Sequence, residues 1–315
     1  MKVEFKAYLT GILPRDDYSI DIFKKFEWGV IDEKTYRETV NKLVCKWVDI
    51  QVSNKLDFIH DPQVDWLDLF RFYSLIDGIS AGPLTRYFEN NYFYRKLIIS
   101  EKVDYEEGVL SLYTHHEILP DNFPWKITLP GPYTMYRLSA VNLDREEAID
   151  VIGKLVAGAV KEAFNLGYSL VDLHEPSIAY DEYVDEDLVL QLYRYVKRLK
   201  LPLHIQTFFG SVFDKMPLML KLNTTFSIDI FEGVDDSIKI PVDRIIIGVI
   251  DSRNTLMERF HYISKYVSLI IDNSLVDTVY LTTNCDLDFL PYKSAIEKVL
   301  LLNEFKRRFT LEWGR

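Results

Sequence analysis

Cysteine is scarce: Cys45 and Cys285 are the only two in 315 residues, and they form no Cys-x-x-Cys pair. A disulfide framework and a thiolate-rich structural zinc site are thereby excluded, and the count fits a reducing, cytoplasmic setting. Basic charge is in deficit, 37 Lys+Arg against 48 Asp+Glu, for a net charge of −11. Nucleic acid and anionic membrane surfaces want basic stripes, so neither is an expected partner. No apolar run approaches the roughly 18 residues of a membrane helix. The opening MKVEFKAYLTG alternates charged and apolar residues, unlike a signal peptide. The 13 Gly and 12 Pro are scattered. They build no linker and no low-complexity stretch, so residues 1–315 read as one domain. The segment after the first apolar run, TGILPRDD (10–17), holds neither G-x-G-x-x-G nor a P-loop, which argues against a nucleotide cofactor.

What is present is a large, aromatic core: 48% hydrophobic residues, with 20 Tyr and 19 Phe. Short β-branched runs alternate with helical patterns. The predicted strands are 3–9, 56–60, 126–130, 169–174, 203–209, 226–231, 244–250 and 278–283. Several are apolar nearly throughout, as strands covered on both faces are. Predicted helices cover 31–51, 144–165, 181–200, 252–270 and 293–309, and the third runs from acidic to basic in the sense that complements a helix dipole. Eight strands alternating with helices predict a single (β/α)8 TIM barrel, with a doubly wound open sheet as the alternative. A long aromatic insert, 61–125, falls between strands two and three and is expected to cover one barrel end.

The predicted strand ends carry a recurrent polar set: Gly11 and Arg15; His60 and Asp61; Gly131; His174 and Glu175; Thr207; Asp229 and Glu232; Asp251; Asn284, Cys285 and Asp286. In a barrel these ends converge on one mouth, where binding and catalysis sit. For any one of them, helix capping or loop polarity is an ordinary explanation. A free cysteine such as Cys285 is most often plain packing.

Eight stretches in order give the set a meaning: TGILPRDD (10–17), GPLTRYFENNYFYRKLI (82–98), LPGPYTMYRLS (129–139), LVDLHEPSIAYDEY (170–183), HIQTFFGSVFD (204–214), FSIDIFEG (226–233), IIIGVIDSRN (245–254) and LTTNCDLDFLP (281–291). Together they resemble the cobalamin-independent methionine synthase family, which uses two related barrels. The TFFG turn, IDIFEG, GVIDSRN and ENNYFY are most similar to the N-terminal barrel. That resemblance implies a free-standing N-terminal-type barrel. It would bind folate and act beside a separate zinc-bearing catalytic barrel in methyl transfer to homocysteine.

The same resemblance implies the site residues. His174 and Glu175 stand at the family's Asp-Glu-Pro as the catalytic positions. Arg15, Arg86, Asn91 and Asp251 are the implied substrate-binding set, with Arg95 and Lys96 as further cations for a polyanionic folate tail. His204, Asp229 and Cys285 are the implied metal ligands. Gln206 stands where the family places a thiolate, so bound zinc is expected to be absent or weak. His174 replaces the carboxylate that meets a substrate ammonium, and Ile12 replaces a hydroxyl, so homocysteine is not expected to bind in the family's usual manner. Two alternatives follow. One is a stand-alone single-barrel methyltransferase with zinc at His204, Asp229 and Cys285 and methyl-folate as donor. The other, outside the family, is a hydrolase pairing Glu175 with Glu232 or Asp251.

Overall fold

A computed structural model describes residues 3–235, 237 and 239–314. Eight strands form one parallel sheet: β1 (Glu4–Ala7), β2 (Ile59–His60), β5 (Trp125–Pro130), β7 (Leu170–His174), β8 (Leu203–Gln206), β9 (Thr225–Asp229), β10 (Arg244–Ile250) and β11 (Thr278–Thr283). The order is β1-β11-β10-β9-β8-β7-β5-β2. The two end strands meet through Asp57, whose N–H donates to Ala7 O at 2.8 Å while its carboxylate accepts from Ala7 N at 2.7 Å. The sheet thus curls into the predicted barrel, and every predicted strand lies on one of these eight.

Period-two alternation sorts each strand's side chains. Ala7, Ile127, Leu129, Val171, Leu173, Ile205, Ile247, Val279 and Leu281 join the main core, packed with helix residues such as Val44, Ile152, Val156, Leu192 and Leu302. Full burial of each Val, Leu or Ile side chain among them stabilises the fold by about 1.5–3 kcal/mol. The intervening positions point into the lumen. There Tyr8, Ile246, Tyr280 and Phe58 make a small apolar cluster. The rest of the lumen is polar: Thr10, Lys126, Thr128, Asp172, His174, His204 and Gln206 are all buried.

The outer helices include α2 (Glu33–Ser53), α4 (Arg145–Asn165), α6 (Glu186–Lys197), α8 (Phe260–Asp272) and α9 (Tyr292–Trp313). Asp32, Asp144 and Asp185 cap the first three, each accepting a backbone N–H three residues on. Four further helices were not predicted: α1 (Asp17–Glu27), capped by Asp16, and the short α3 (Pro132–Leu138), α5 (Pro176–Tyr180) and α7 (Met216–Leu222). The predicted helix at 252–270 begins only at Phe260. Lys298 of α9 holds the preceding loop out of helical form, donating to Asp251 O, Leu256 O and Glu258 Oε1 at 2.5–2.9 Å.

The insert folds as a hairpin, β3 (Ile79–Arg86) antiparallel to β4 (Phe93–Ile99), extended by β6 (Ala140–Val141) alongside β4. Its turn lies over the mouth. Tyr87 and Phe88 pack on Phe209 beyond β8, at ring-centroid distances of 6.1 and 5.5 Å, and Tyr92 packs on Phe289 beyond β11 at 5.2 Å. The aromatic stretch is therefore mainly a roof, although Phe93 stays 43% exposed.

Candidate functional site at the barrel mouth

Three polar clusters line the mouth and upper lumen. The first is centred on a buried ion pair, Lys126 Nζ to Asp172 Oδ2 at 3.0 Å, with both side chains fully enclosed. Lys126 also donates to Leu9 O at 3.0 Å and lies 4.8 Å from the Tyr8 ring centroid. Burial would raise the Asp172 pKa, but the Lys126 charge brings it down to about 2; burial in turn lowers that of Lys126. Thr10 gives its hydroxyl hydrogen to Asp172 and sits 2.9 Å from His174 Nε2. Its oxygen is then an acceptor toward the imidazole, so the neutral ring carries its proton on Nε2. Burial lowers the His174 pKa to about 3, which keeps the ring neutral at physiological pH.

The second cluster surrounds Arg253. Its guanidinium meets Asp251 Oδ1 at 3.0 Å, Asp229 Oδ2 at 3.4 Å, and Glu232. Asn284 Nδ2 bridges Asp229 and Asp251 at 3.2 and 3.0 Å. Burial raises the Asp229 pKa to about 7 despite the cation.

The third cluster ties the insert to the barrel. Asp61 accepts His115 N at 3.0 Å and the Tyr168 hydroxyl, and its other oxygen lies 2.7 Å from His115 Nδ1. Asp65 lies 3.2 Å from His115 Nε2. Burial would lower the His115 pKa, but Asp61 and Asp65 raise it to about 10. The stability this confers is fully present below the ring's ordinary pKa of 6.5 and is lost as pH rises through about 10. Burial also raises Glu175, Asp229 and Asp286 to about 7, below the window from pH 8 to 9.5, where His115 and the buried Cys285 thiol both hold protons that the unfolded chain releases. His115 contributes a fall in unfolding free energy there of at most about 1.4 kcal/mol per pH unit. His115→Gln should flatten that slope in urea titrations; identical slopes in the two proteins would refute the assignment.

The predicted catalytic pair is split. Glu175 is fully buried and caps α3 (Pro132–Leu138) from outside the helix, accepting Tyr133 N at 2.9 Å, Thr134 N at 2.7 Å and the Tyr193 hydroxyl at 3.1 Å. Its carboxylate lies under Gly131, whose missing side chain leaves the space it fills. His174 faces the lumen. Glu175 therefore does not join Glu232 and Asp251, which belong to the Arg253 cluster, and the paired-carboxylate arrangement is not formed.

The implied metal set does not assemble either. Register sets His204 beside Thr225 of β9, four residues before Asp229, or about 13 Å along the strand. His204 Nδ1 lies 2.8 Å from the Tyr8 hydroxyl, deep in the lumen. Asp229 and Cys285 share the neighbourhood of Arg253, and burial raises the Cys285 pKa, which keeps the thiol protonated. Gln206 Nε2 donates to Thr283 O at 3.1 Å and Asn284 O at 3.0 Å. Among the described residues no three His, Cys, Asp or Glu side chains form a metal-holding group. This donor set does not fit zinc.

The implied substrate residues are dispersed. Arg15 lies 3.3 Å from Asp288 and 5.4 Å from the Phe23 ring, at a cleft of about 420 Å3 shared with Lys24, Leu290 and Tyr292. Arg86 and Asn91 are exposed on the hairpin, while Asp251 is buried by Arg253 and Asn284. Lys126 and Asp172 were missed in the sequence, although their alternation with Ile127 and Val171 was there to find.

Fold and mouth together define a (β/α)8 barrel whose lumen is polar and whose mouth is roofed by an inserted hairpin. A family model described as "Cobalamin-independent synthase, N-terminal domain" matches residues 63–273, and the chain belongs to that family. Membership sets aside the hydrolase alternative. Among sequence relatives, the 5-methyltetrahydropteroyltriglutamate–homocysteine methyltransferase of Thermosynechococcus vestitus is 27% identical over 70% of this chain and 30% of its own length. That of Lactococcus lactis subsp. cremoris strain SK11 is 28% identical over 73% and 32%. The matched region is thus about a third of the length of these relatives. A methionine synthase of Pyrococcus furiosus is 21% identical over 93% of this chain and 89% of its own length. Among solved structures, a B12-independent methionine synthase from Shewanella in complex with selenomethionine superposes with a TM-score of 0.75, at 16% identity, over 90% of this chain and 91% of that one. Among the described residues no helix is long and apolar enough to cross a membrane.

Proposed function

We propose that this chain is the folate-binding barrel of a cytoplasmic cobalamin-independent methionine synthase. In this reading a separately encoded barrel carries the zinc and the methyl transfer to homocysteine. The observation that carries the reading is the state of the lumen. Gln206 spends both N–H groups on the carbonyls of Thr283 and Asn284, His204 meets Tyr8, and Asp229 meets Arg253, so the residues at the metal positions hold the barrel together. The match to the N-terminal domain supports the same division of labour. Arg15 and Lys24 line one cleft together with Asp17, Glu27 and Asp288, and Arg86 lies exposed on the roof; these are the cations this reading assigns to a polyanionic tail. Two unpaired cysteines suit a reducing compartment.

Mixing this chain with a zinc-bearing barrel from the same source is expected to raise folate-dependent methyl transfer to homocysteine. Arg15→Ala and Arg86→Ala should each blunt that gain, more for long-tailed than short-tailed folates, and added salt should weaken it. Equal activity of the zinc-bearing barrel alone, with no complex on a sizing column, would remove the partner reading.

The similar full length of the Pyrococcus methionine synthase favours a second reading, a stand-alone methyltransferase. It predicts methyl transfer by this chain without a partner. Because the donor set does not fit zinc, that activity would need another means of activating the thiol.

A further inference from the structure

A basic cleft opens in the outer wall of the barrel, at the end opposite the mouth. It lies between the last turns of α6 and α7, where the chain runs into the starts of β8 and β9. Its volume is about 360 Å3, and Leu190, Tyr193, Arg194, Lys197, Arg198 and Leu222 line it. Three of these are cations and none is an acid, in a chain whose net charge is −11. The overall field repels anions, and this cleft reverses it locally.

Cations in a last helical turn ordinarily offset the helix dipole. Lys197 does so, donating from Nζ to Leu222 O at the end of α7 at 2.6 Å. Arg194 and Arg198 do not: among the described residues neither guanidinium makes a hydrogen bond or an ion pair. Arg198 lies over the Tyr195 ring, 5.8 Å from its centroid, a face contact that leaves its N–H edge free. The two arginines stand one turn apart on α6, so they share a face. A guanidinium offers paired N–H donors that match two oxygens of one phosphate. The inner wall is apolar. Tyr193 and Leu222 are buried there and Leu190 is half-buried. The Tyr193 hydroxyl is committed inward to Glu175 at 3.1 Å, so its ring gives the wall only carbon.

Such a cleft suits an anionic head joined to an apolar body. Its volume falls at the small end of the roughly 300–1,000 Å3 of small-molecule sites, room for a single ring. A carboxylate would bring one negative charge to three cations, whereas a phosphate monoester brings nearly two and three acceptor oxygens.

We propose that the cleft between α6 and α7 binds a phosphate monoester of a small apolar group, its oxygens held by Arg194, Lys197 and Arg198 and its apolar group laid against Leu190. The site lies outside the lumen and is independent of the partner reading.

Phenyl phosphate tests it against inorganic phosphate in NMR titrations of the full chain. Phenyl phosphate is expected to bind the more tightly, and Leu190→Ala should remove most of that margin while leaving inorganic phosphate unchanged. Arg194→Gln and Arg198→Gln should each weaken phenyl phosphate about tenfold, because each deletes hydrogen bonds to a charged group. Both side chains are exposed, so these variants should fold. Arg307→Gln, an exposed arginine on α9, is the charge control and should leave the affinity unchanged. Phosphatidylcholine vesicles doped with phosphatidic acid carry the same head on a lipid and are not expected to sediment the protein. Equal affinity for the two phosphates, an equal loss in Arg307→Gln, or sedimentation with the vesicles that Arg194→Gln abolishes would each overturn the proposal.

Discussion

Asp172→Ala is expected to destabilise the protein by about 3–5 kcal/mol, because it leaves the Lys126 ammonium buried without its counter-charge. Asp172 and Lys126 are both fully buried, 3.0 Å apart, in a lumen that water reaches poorly. The loss should extend to the mouth, since Thr10 links Asp172 to His174. Replacing both partners, Lys126→Met with Asp172→Leu, removes the charges together and should recover most of the stability. Urea unfolding of the two single variants and the double variant measures this as a cycle. Equal stability of Asp172→Ala and wild type would mean that the pair is not formed in solution.

Gly131→Ala should be nearly as damaging, at about 3 kcal/mol or more. A Cβ there would lie 2.2 Å from Glu175 Cδ. The carboxylate cannot simply swing aside, because Tyr133 N, Thr134 N and the Tyr193 hydroxyl fix it. Moving it adds unpaired helix-start amides to the overpacking. Glu175→Ala removes the obstacle as well as the cap, so Gly131→Ala combined with Glu175→Ala should lose clearly less than the sum of the two single losses. Strict additivity in urea midpoints would show that the two residues do not touch. The same experiment separates a structural from a catalytic role for Glu175, since a catalytic carboxylate could be lost without a change in the urea midpoint.

The barrel was legible because its strands are short, mostly apolar runs separated by helical stretches, and each run became a strand. Height within the barrel was not legible. Asp229 and Cys285 fall near the ends of their strands in the sequence, whereas His204 stands at the start of its own and sits level with Thr225, far below Asp229. Only the pairing register fixes that level. Direction was hidden too: Glu175 follows directly on a strand, but its side chain turns beneath Gly131 instead of into the mouth. Helix α1 escaped notice because the Pro-Arg-Asp-Asp that opens it reads as loop, whereas Asp16 accepts Ser19 N and starts the helix there. Lys126 and Asp172 lay in plain alternation inside runs dominated by Ile, Val and Leu, where the apolar majority concealed them.

Val3 N donates to Trp313 O at 3.1 Å, and Val3 and Gly314 form a parallel bridge. Strand β1 starts at the face opposite the mouth, and α9 returns to it over 22 residues, about 33 Å. Any tether fused at either of these points therefore departs from the far side of the barrel. To deliver a cargo to the mouth it must climb that whole height, which takes on the order of ten fully extended residues. A shorter fusion would hold its cargo on the wrong side of the molecule, so tether length becomes a ruler for locating where this barrel meets another protein.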